Sequence, residues 1–248
     1  MFIRCWGLGL FRFLAFISAV WAALCSADSG SIDVSAGSVT LDQSAKTVSL
    51  KDGVVAKLDG GQITSKTAEA RLNESDDVSN PSEVLLSGDV SGCLSDIEMS
   101  ADQAQYTVQD GSLVLSGRPA VVKTKRETVS AGSITLKGLV VTAENGVTLK
   151  SANHTIATEK AIAYFSRTNG KVSLKSVVSG GKVIIVSAKT TYTADKCEYK
   201  DGVLCLAGNV VIKSAKNCIL ADRAKLNTTT GVHVIEGVNS PISASLHK

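Results

Sequence analysis

The feature that most constrains this chain is a phrase written twice. Tyr192 to Leu226 reads YTADKCEYKDGVLCLAGNVVIKSAKNCILADRAKL, and Met99 to Leu136 reads MSADQAQYTVQDGSLVLSGRPAVVKTKRETVSAGSITL. Ala101-Asp102 matches Ala194-Asp195, Tyr106 roughly matches Tyr199, and Asp110-Gly111 matches Asp201-Gly202. Gly117 matches Gly208, six residues past the hairpin glycine in both copies. Val34 to Leu72 is a looser third copy, with Ala36-Gly37, Asp52-Gly53 and a closing Ala68-Glu69-Ala70-Arg71-Leu72. Repetition at this period means one supersecondary unit used several times. A single unit cannot bury its own apolar face, so the copies must stack.

Each copy reads as short β-strands punctuated by turns. Asp201-Gly202 is the tightest cue, because hairpin turns need backbone angles that Gly supplies and Asp tolerates. Cys197-Glu198-Tyr199 leads in, and Val203-Leu204-Cys205-Leu206 leads out. Ala207-Gly208-Asn209 is read as the next turn, followed by β-branched Val210-Val211-Ile212 and a strand from Cys218 to Leu226. Upstream, Gly37, Asp52-Gly53 and Asp59-Gly60-Gly61 separate strands between Ile32 and Leu72. Asn73 to Glu83 is acidic, contains a proline and reads as a loop. Strands resume on either side of Ser87-Gly88-Asp89. Glu144-Asn145-Gly146 joins Leu139–Thr142 to Val147–Leu149, and Asn169-Gly170 marks a hairpin. Gly180-Gly181 precedes Val183–Val186. His154 to Ala163 is the one place a helix competes, and a strand is favoured. Strands every eight to twelve residues without helical period indicate an all-β sandwich, jelly roll or solenoid.

The N-terminus reads as a targeting segment. Arg4 and Arg12 form its charged region, Phe13 to Cys25 its apolar run, and Cys25-Ser26-Ala27 a small-residue cleavage site before Asp28. An apolar run of this size reaches only about 20 Å as a helix, short of a hydrocarbon core of roughly 30 Å. Residues 1–27 are therefore expected to be a signal peptide, 28–238 the β domain and 239–248 a fraying tail. A retained inner-membrane anchor is the alternative. Losing Arg4 and Arg12 would take the formal charge from +3 to +1. That argues against nucleic acid as a partner, since binding it requires clustered cations.

Export permits disulfides, and Cys93, Cys197, Cys205 and Cys218 would remain in the mature chain. A two-residue turn at Asp201-Gly202 puts Cys197 and Cys205 on opposite faces; a three-residue loop puts them across from each other. Both are open, as are buried free thiols. No CxxC pair, HExxH, GxGxxG or P-loop is present, and His154, His233 and His247 read as surface residues. No cofactor or metal is expected, and no acid, base or nucleophile constellation suggests an enzyme. Lys123, Lys125 and Arg126 form a short basic run suited to anionic head groups or to a solvated face.

At Gly208-Asn209-Val210-Val211-Ile212, followed by Leu220-Ala221-Asp222-Arg223-Ala224, the chain resembles the OstA-like repeat of the LptA family of lipopolysaccharide-transport proteins, with LptC and the N-terminal domain of LptD as relatives. Ala101-Asp102-Gln103-Ala104, Gly88-Asp89-Val90 and Gly181-Lys182-Val183 are further matches, while Pro119-Ala120 departs from the pattern. The resemblance implies an antiparallel β-jellyroll, open at both ends, that stacks edge to edge in the periplasm. It implies a bridge that shelters the acyl chains of lipopolysaccharide or lipooligosaccharide, joined to LptC-like and LptD-like partners by edge-strand addition, with head-to-tail self-association possible. An LptC-like anchored component and a secreted structural or adhesive β-solenoid are the alternatives. At roughly 0.8 kcal/mol per buried methylene, an acyl chain of a dozen carbons gains about 10 kcal/mol from such shelter. By alternation, the interior is expected to comprise Val114, Val121, Ile134, Leu136, Leu204, Val210, Ile212 and Leu220, with Lys123, Lys125 and Arg126 at the head groups.

Overall fold

The structure is a computed structural model that describes residues 33–58, 61–72, 81–94, 97–125, 127–152, 154–168, 171–215, 217–227 and 233–238. The expected targeting segment, most of the expected acidic loop, Arg126 and the expected tail lie outside those residues. All of the regular structure described is β, as the alternation of small branched residues requires.

The strands are β1 (Asp33–Ser35), β2 (Ser38–Asp42), β3 (Thr47–Lys51), β4 (Val54–Leu58), β5 (Gly61–Ser65) and β6 (Thr67–Leu72). Longer ones follow: β7 (Pro81–Leu94), β8 (Ile97–Thr107), β9 (Ser112–Lys123), β10 (Glu127–Lys137), β11 (Val140–Ser151) and β12 (His154–Thr168). The remainder are β13 (Lys171–Ser187), β14 (Thr190–Ala194), β15 (Lys196–Lys200), β16 (Val203–Ser214), β17 (Cys218–Asn227) and β18 (His233–Val238). The chain divides into two compact units, one containing residues 33–125 and 130–143, the other residues 126–129 and 144–238.

In the first unit, β1 and β2 pair along β4 and β3, which pair in turn with β5 and β6. Strand β7 spans both β5 and β6, β8 and β9 follow in antiparallel order, and β9 pairs with β10. The second unit repeats the scheme. β12 pairs with β13, β13 with β14 and β15, those two with β16, and then come β17 and β18. His154 to Ala163 is strand, so the helical alternative for that segment does not occur.

Several expected turns are not chain reversals. Gly88-Asp89 lies inside β7, Asn145-Gly146 inside β11, Gly180-Gly181 inside β13 and Gly208-Asn209 inside β16. Asp52-Gly53 links β3 to β4, which continue along the same neighbouring chain segments rather than folding back. At Gly88-Asp89 and Gly208-Asn209 the strand forms a bulge, where two residues of one strand face one of the next and the strand bends, and in β13 the two residues that face Glu159 are Gly181-Lys182. Ser87↔Gln103 and Val90↔Ala101 leave Gly88-Asp89 opposite Asp102 alone. Ala207↔Arg223 and Val210↔Ala221 leave Gly208-Asn209 opposite Asp222 alone. Both φ angles are positive at these two pairs, +78° and +51° at Gly88-Asp89 and +76° and +46° at Gly208-Asn209, whereas at Gly180-Gly181 only Gly181 is positive, at +103°. A hairpin turn makes the same demand on the backbone, so sequence cannot separate the two outcomes. Asp110-Gly111 and Asp201-Gly202 are true reversals, closing β8 onto β9 and β15 onto β16.

The core is built from the strand faces that alternate inward. Leu115 and Val90 are among the most completely buried residues of the first unit, and Ile185, Leu206, Val183 and Val210 of the second. His154, expected at the surface, is instead buried in register with Ser187, and burial lowers its pKa from the ordinary histidine value.

Candidate functional site

Two surfaces deserve comparison: the apolar face of each bent sheet and the outward face opposite it. Cross-strand partners share a face, so the register assigns every residue. In the second unit, Leu204 pairs with Leu226, Leu206 with Ala224, Val210 with Ala221, and Ile212 with both Tyr192 and Ile219. Leu204 and Val210 are therefore on the apolar face, and Ile212 joins them. Ile134 and Leu136 are buried on β10 of the first unit. Burial of these four core positions is deep, at 3% exposure for Ile134 and Leu136, 5% for Leu204 and 1% for Val210.

The other three interior expectations fall on the opposite face. Leu220 pairs with Val211 and is 42% exposed, while Ile219 takes the inward place beside Ile212. Val114 pairs with the exposed Gln105, and Val121 with the exposed Ser100. Their inward counterparts are Leu115, which pairs with Ala104, and Val122, which pairs with Met99. The physical reason is the side-chain period of two: a shift of one residue moves the set to the other face. A signal was present, because Val121 lies two residues from Lys123 and so shares its water-facing side.

Val121 and Lys123 do meet at a feature of their own. Two cross-strand rows, Gln62–Cys93–Glu98–Lys123 and Thr64–Ser91–Ser100–Val121, flank a trough of about 340 Å³ on the outward face of the first unit. Lys123 Nζ donates to Glu98 Oε2 at 2.9 Å, so this expected head-group cation is already ion-paired. Across the same wall, Thr64 Oγ1 and Ser91 Oγ lie 2.8 Å apart. Lys125 is exposed, and Arg126 lies outside the described residues.

The turn at Asp201-Gly202 holds two residues, since Lys200 pairs with Val203. Cys197 accordingly faces Leu206, and Cys205 faces Glu198, which is the two-residue alternative of the sequence. Both thiols are free. Burial foremost, then the neighbouring Cys205 and Glu198, pushes the Cys197 thiol up to about 12. No thiolate nucleophile forms there near neutrality. Among the described residues no cluster of His, Cys, Asp or Glu could hold a metal ion.

No protein-family model and no curated protein matches the chain. Among solved structures, the chain is similar to LptH, the LptA homologous periplasmic component of the lipopolysaccharide transport device from Pseudomonas aeruginosa. The identity is 18% and the TM-score 0.38, covering 46% of this chain and 82% of that one.

Proposed function

We propose that the chain is a non-enzymatic periplasmic protein that binds lipopolysaccharide or lipooligosaccharide and shields its acyl chains between two membranes. The observation that carries this reading is the recurrence of one local geometry in both units. Gly88-Asp89-Val90 bulges against Ala101-Asp102, and Gly208-Asn209-Val210 bulges against Ala221-Asp222 with the same register. These are the residues on which the resemblance to the OstA-like repeat rests. In each unit the bulge bends a sheet whose inward face is aliphatic, and Val90 and Val210 sit beside it in the core. Such a face is suited to hydrocarbon and needs no side-chain chemistry to hold it.

Edge strands support the partner assignment. Val34, Val39 and Leu41 are exposed on β1 and β2, and Val234 and Val238 on β18. Apolar edge strands invite strand addition, which suits LptC-like and LptD-like partners or a second copy. The targeting segment supports the periplasm as the location.

One observation favours a second reading, a structural β-protein with a filled core. The deep burial of Ile134, Leu136, Leu204 and Val210 means that an acyl chain must first displace the side chains covering them. A photo-activatable residue at Ile134 or Val210 distinguishes the two. Crosslinking to lipopolysaccharide at these positions is the expected result. No crosslink at any inward position would leave the structural reading in its place.

A further inference from the structure

The outward face of the second unit carries an apolar stripe that the transport reading does not use. Register places Ala157, Ile184, Thr193, Val211 and Leu220 in one cross-strand row. The adjacent row holds Val186, Thr191, Lys213 and Cys218. Ile184, Val186 and Leu220 are exposed large aliphatic residues, and they lie together on this one face.

Charge identifies what the stripe fits. Residues 144–238 carry thirteen Lys and Arg against seven Asp and Glu, a surplus of six positive charges. Residues 33–143 carry ten against fifteen, a deficit of five. The formal net charge of +3 therefore conceals a basic second unit. Lys182 stands two residues from Ile184 on the same side of β13, Lys213 lies within the second row, and Lys189 is in the turn between β13 and β14. All three are exposed, and among the described residues none of them is ion-paired. The acids nearest the stripe, Glu159, Asp195 and Asp222, lie along the bulge line at its edge, Glu159 across from Gly181-Lys182, and Asp195 is already held by Asn209. A second copy of the same face would bring like charges together, which disfavours symmetric pairing.

We infer that this face docks on a bilayer surface bearing anionic lipid head groups. Ile184, Val186 and Leu220 enter the interfacial region, while the lysines extend their aliphatic stems and place their ammonium groups at the phosphates. The inference goes beyond acyl-chain transport and uses the opposite side of the sheet.

Photo-crosslinking in the full chain tests it with a local readout. The activatable residue is placed at Ile184, at Leu220 or, as a control in the other unit, at Val39. The probes are vesicles of phosphatidylcholine alone and of phosphatidylcholine with phosphatidylglycerol. Lipid adducts are expected at Ile184 and Leu220 but not at Val39, and only with the anionic vesicles. Lys182→Glu, Lys189→Glu and Lys213→Glu together should lower the adduct yield roughly tenfold or more, with thermal melting unchanged. Equal yields on neutral vesicles, equal labelling at Val39, or no loss in the lysine variant would overturn the inference. Val210 crosslinking to lipopolysaccharide is read separately, so either reading can fail alone.

Discussion

Asn209 donates its side-chain amide to Asp195 Oδ2 at 2.7 Å, and the Asp195 backbone N–H donates to the Gly208 carbonyl at 2.9 Å. The two bonds tie the bulge of β16 to the gap between β14 and β15. A strand that bends at this point leaves its ladder incomplete, and these bonds occupy polar groups that the ladder cannot. The bulge is thus held by residues specific to it, which makes its glycine testable.

Gly208→Ala meets two obstacles. The backbone is left-handed there, at φ +76°, and a Cβ would lie 2.7 Å from Asp195 Oδ2. Gly146, at φ +81° with nothing within 4 Å, meets only the first. Gly146→Ala should cost about 1–2 kcal/mol, the usual penalty for a side chain in this conformation, and Gly208→Ala should cost more. Urea titration of the two variants checks the order. Equal losses would mean that Asp195 moves aside freely.

The face assignment on β9 predicts a sharp contrast between neighbours. Leu115, at 2% exposure, should lose about 2–5 kcal/mol on truncation to alanine. Val114→Ala, on the outward face, should cost well under that, within about 1 kcal/mol. If equilibrium unfolding ranked them the other way, the register of β8 on β9 would be wrong by one residue.

His154 gives the pH dependence. Burial lowers its folded-state pKa below the ordinary histidine value of 6.5, so the unfolded chain binds the proton more readily. Stability rises with pH wherever the unfolded state holds more protons. The folded state should therefore be unaffected by this group well above pH 6.5 and should weaken as pH falls through 6.5 toward the lowered value. Melting temperatures from pH 8 to 5 should fall less steeply in His154→Gln than in the parent chain.

Asp110 titrates in the same sense but in a more acidic range. Lys137 Nζ donates to Asp110 Oδ2 at 2.7 Å, and this bond, followed by that from Ser112, lowers the carboxyl to about 2. What it contributes is present above the ordinary carboxylate range and is lost as pH falls toward about 2. Carboxyl NMR titration should find the depressed value in the parent chain, and Lys137→Met should move it back upward.

Thiol accessibility separates the cysteines. Cys218 is exposed, whereas burial raises the Cys197 thiol to about 12. At pH 8 a maleimide should label Cys218 well before Cys197, as read by peptide mass spectrometry. A Cys197–Cys205 bridge in the oxidised protein would contradict the two-residue turn between their strands.

Much of this protein follows from its residues alone. Alternating Val, Ile and Leu without helical period requires strands, and the repeat of Ala-Asp, Asp-Gly and Gly-x-Val fixes where strands pair and where they bend. Asp201-Gly202 and Asp110-Gly111 close hairpins where the sequence says they should. What local sequence leaves open is whether a Gly-Asn or Gly-Asp pair reverses the chain or only kinks it, because both need left-handed backbone at adjacent residues. Tertiary pairing decides: β16 finds β17 on both sides of Gly208-Asn209, so the strand continues. The same pairing sets the face. The turn between β16 and β17 brings Ile212 opposite Ile219, so Ile219 lies inward and Leu220 outward, although alternation counted straight on from Ile212 would place Leu220, eight positions later, on the inward side. Side-chain type is a property of the sequence, but the side of the sheet on which it lands belongs to the register, and hydrogen bonds between distant segments determine that.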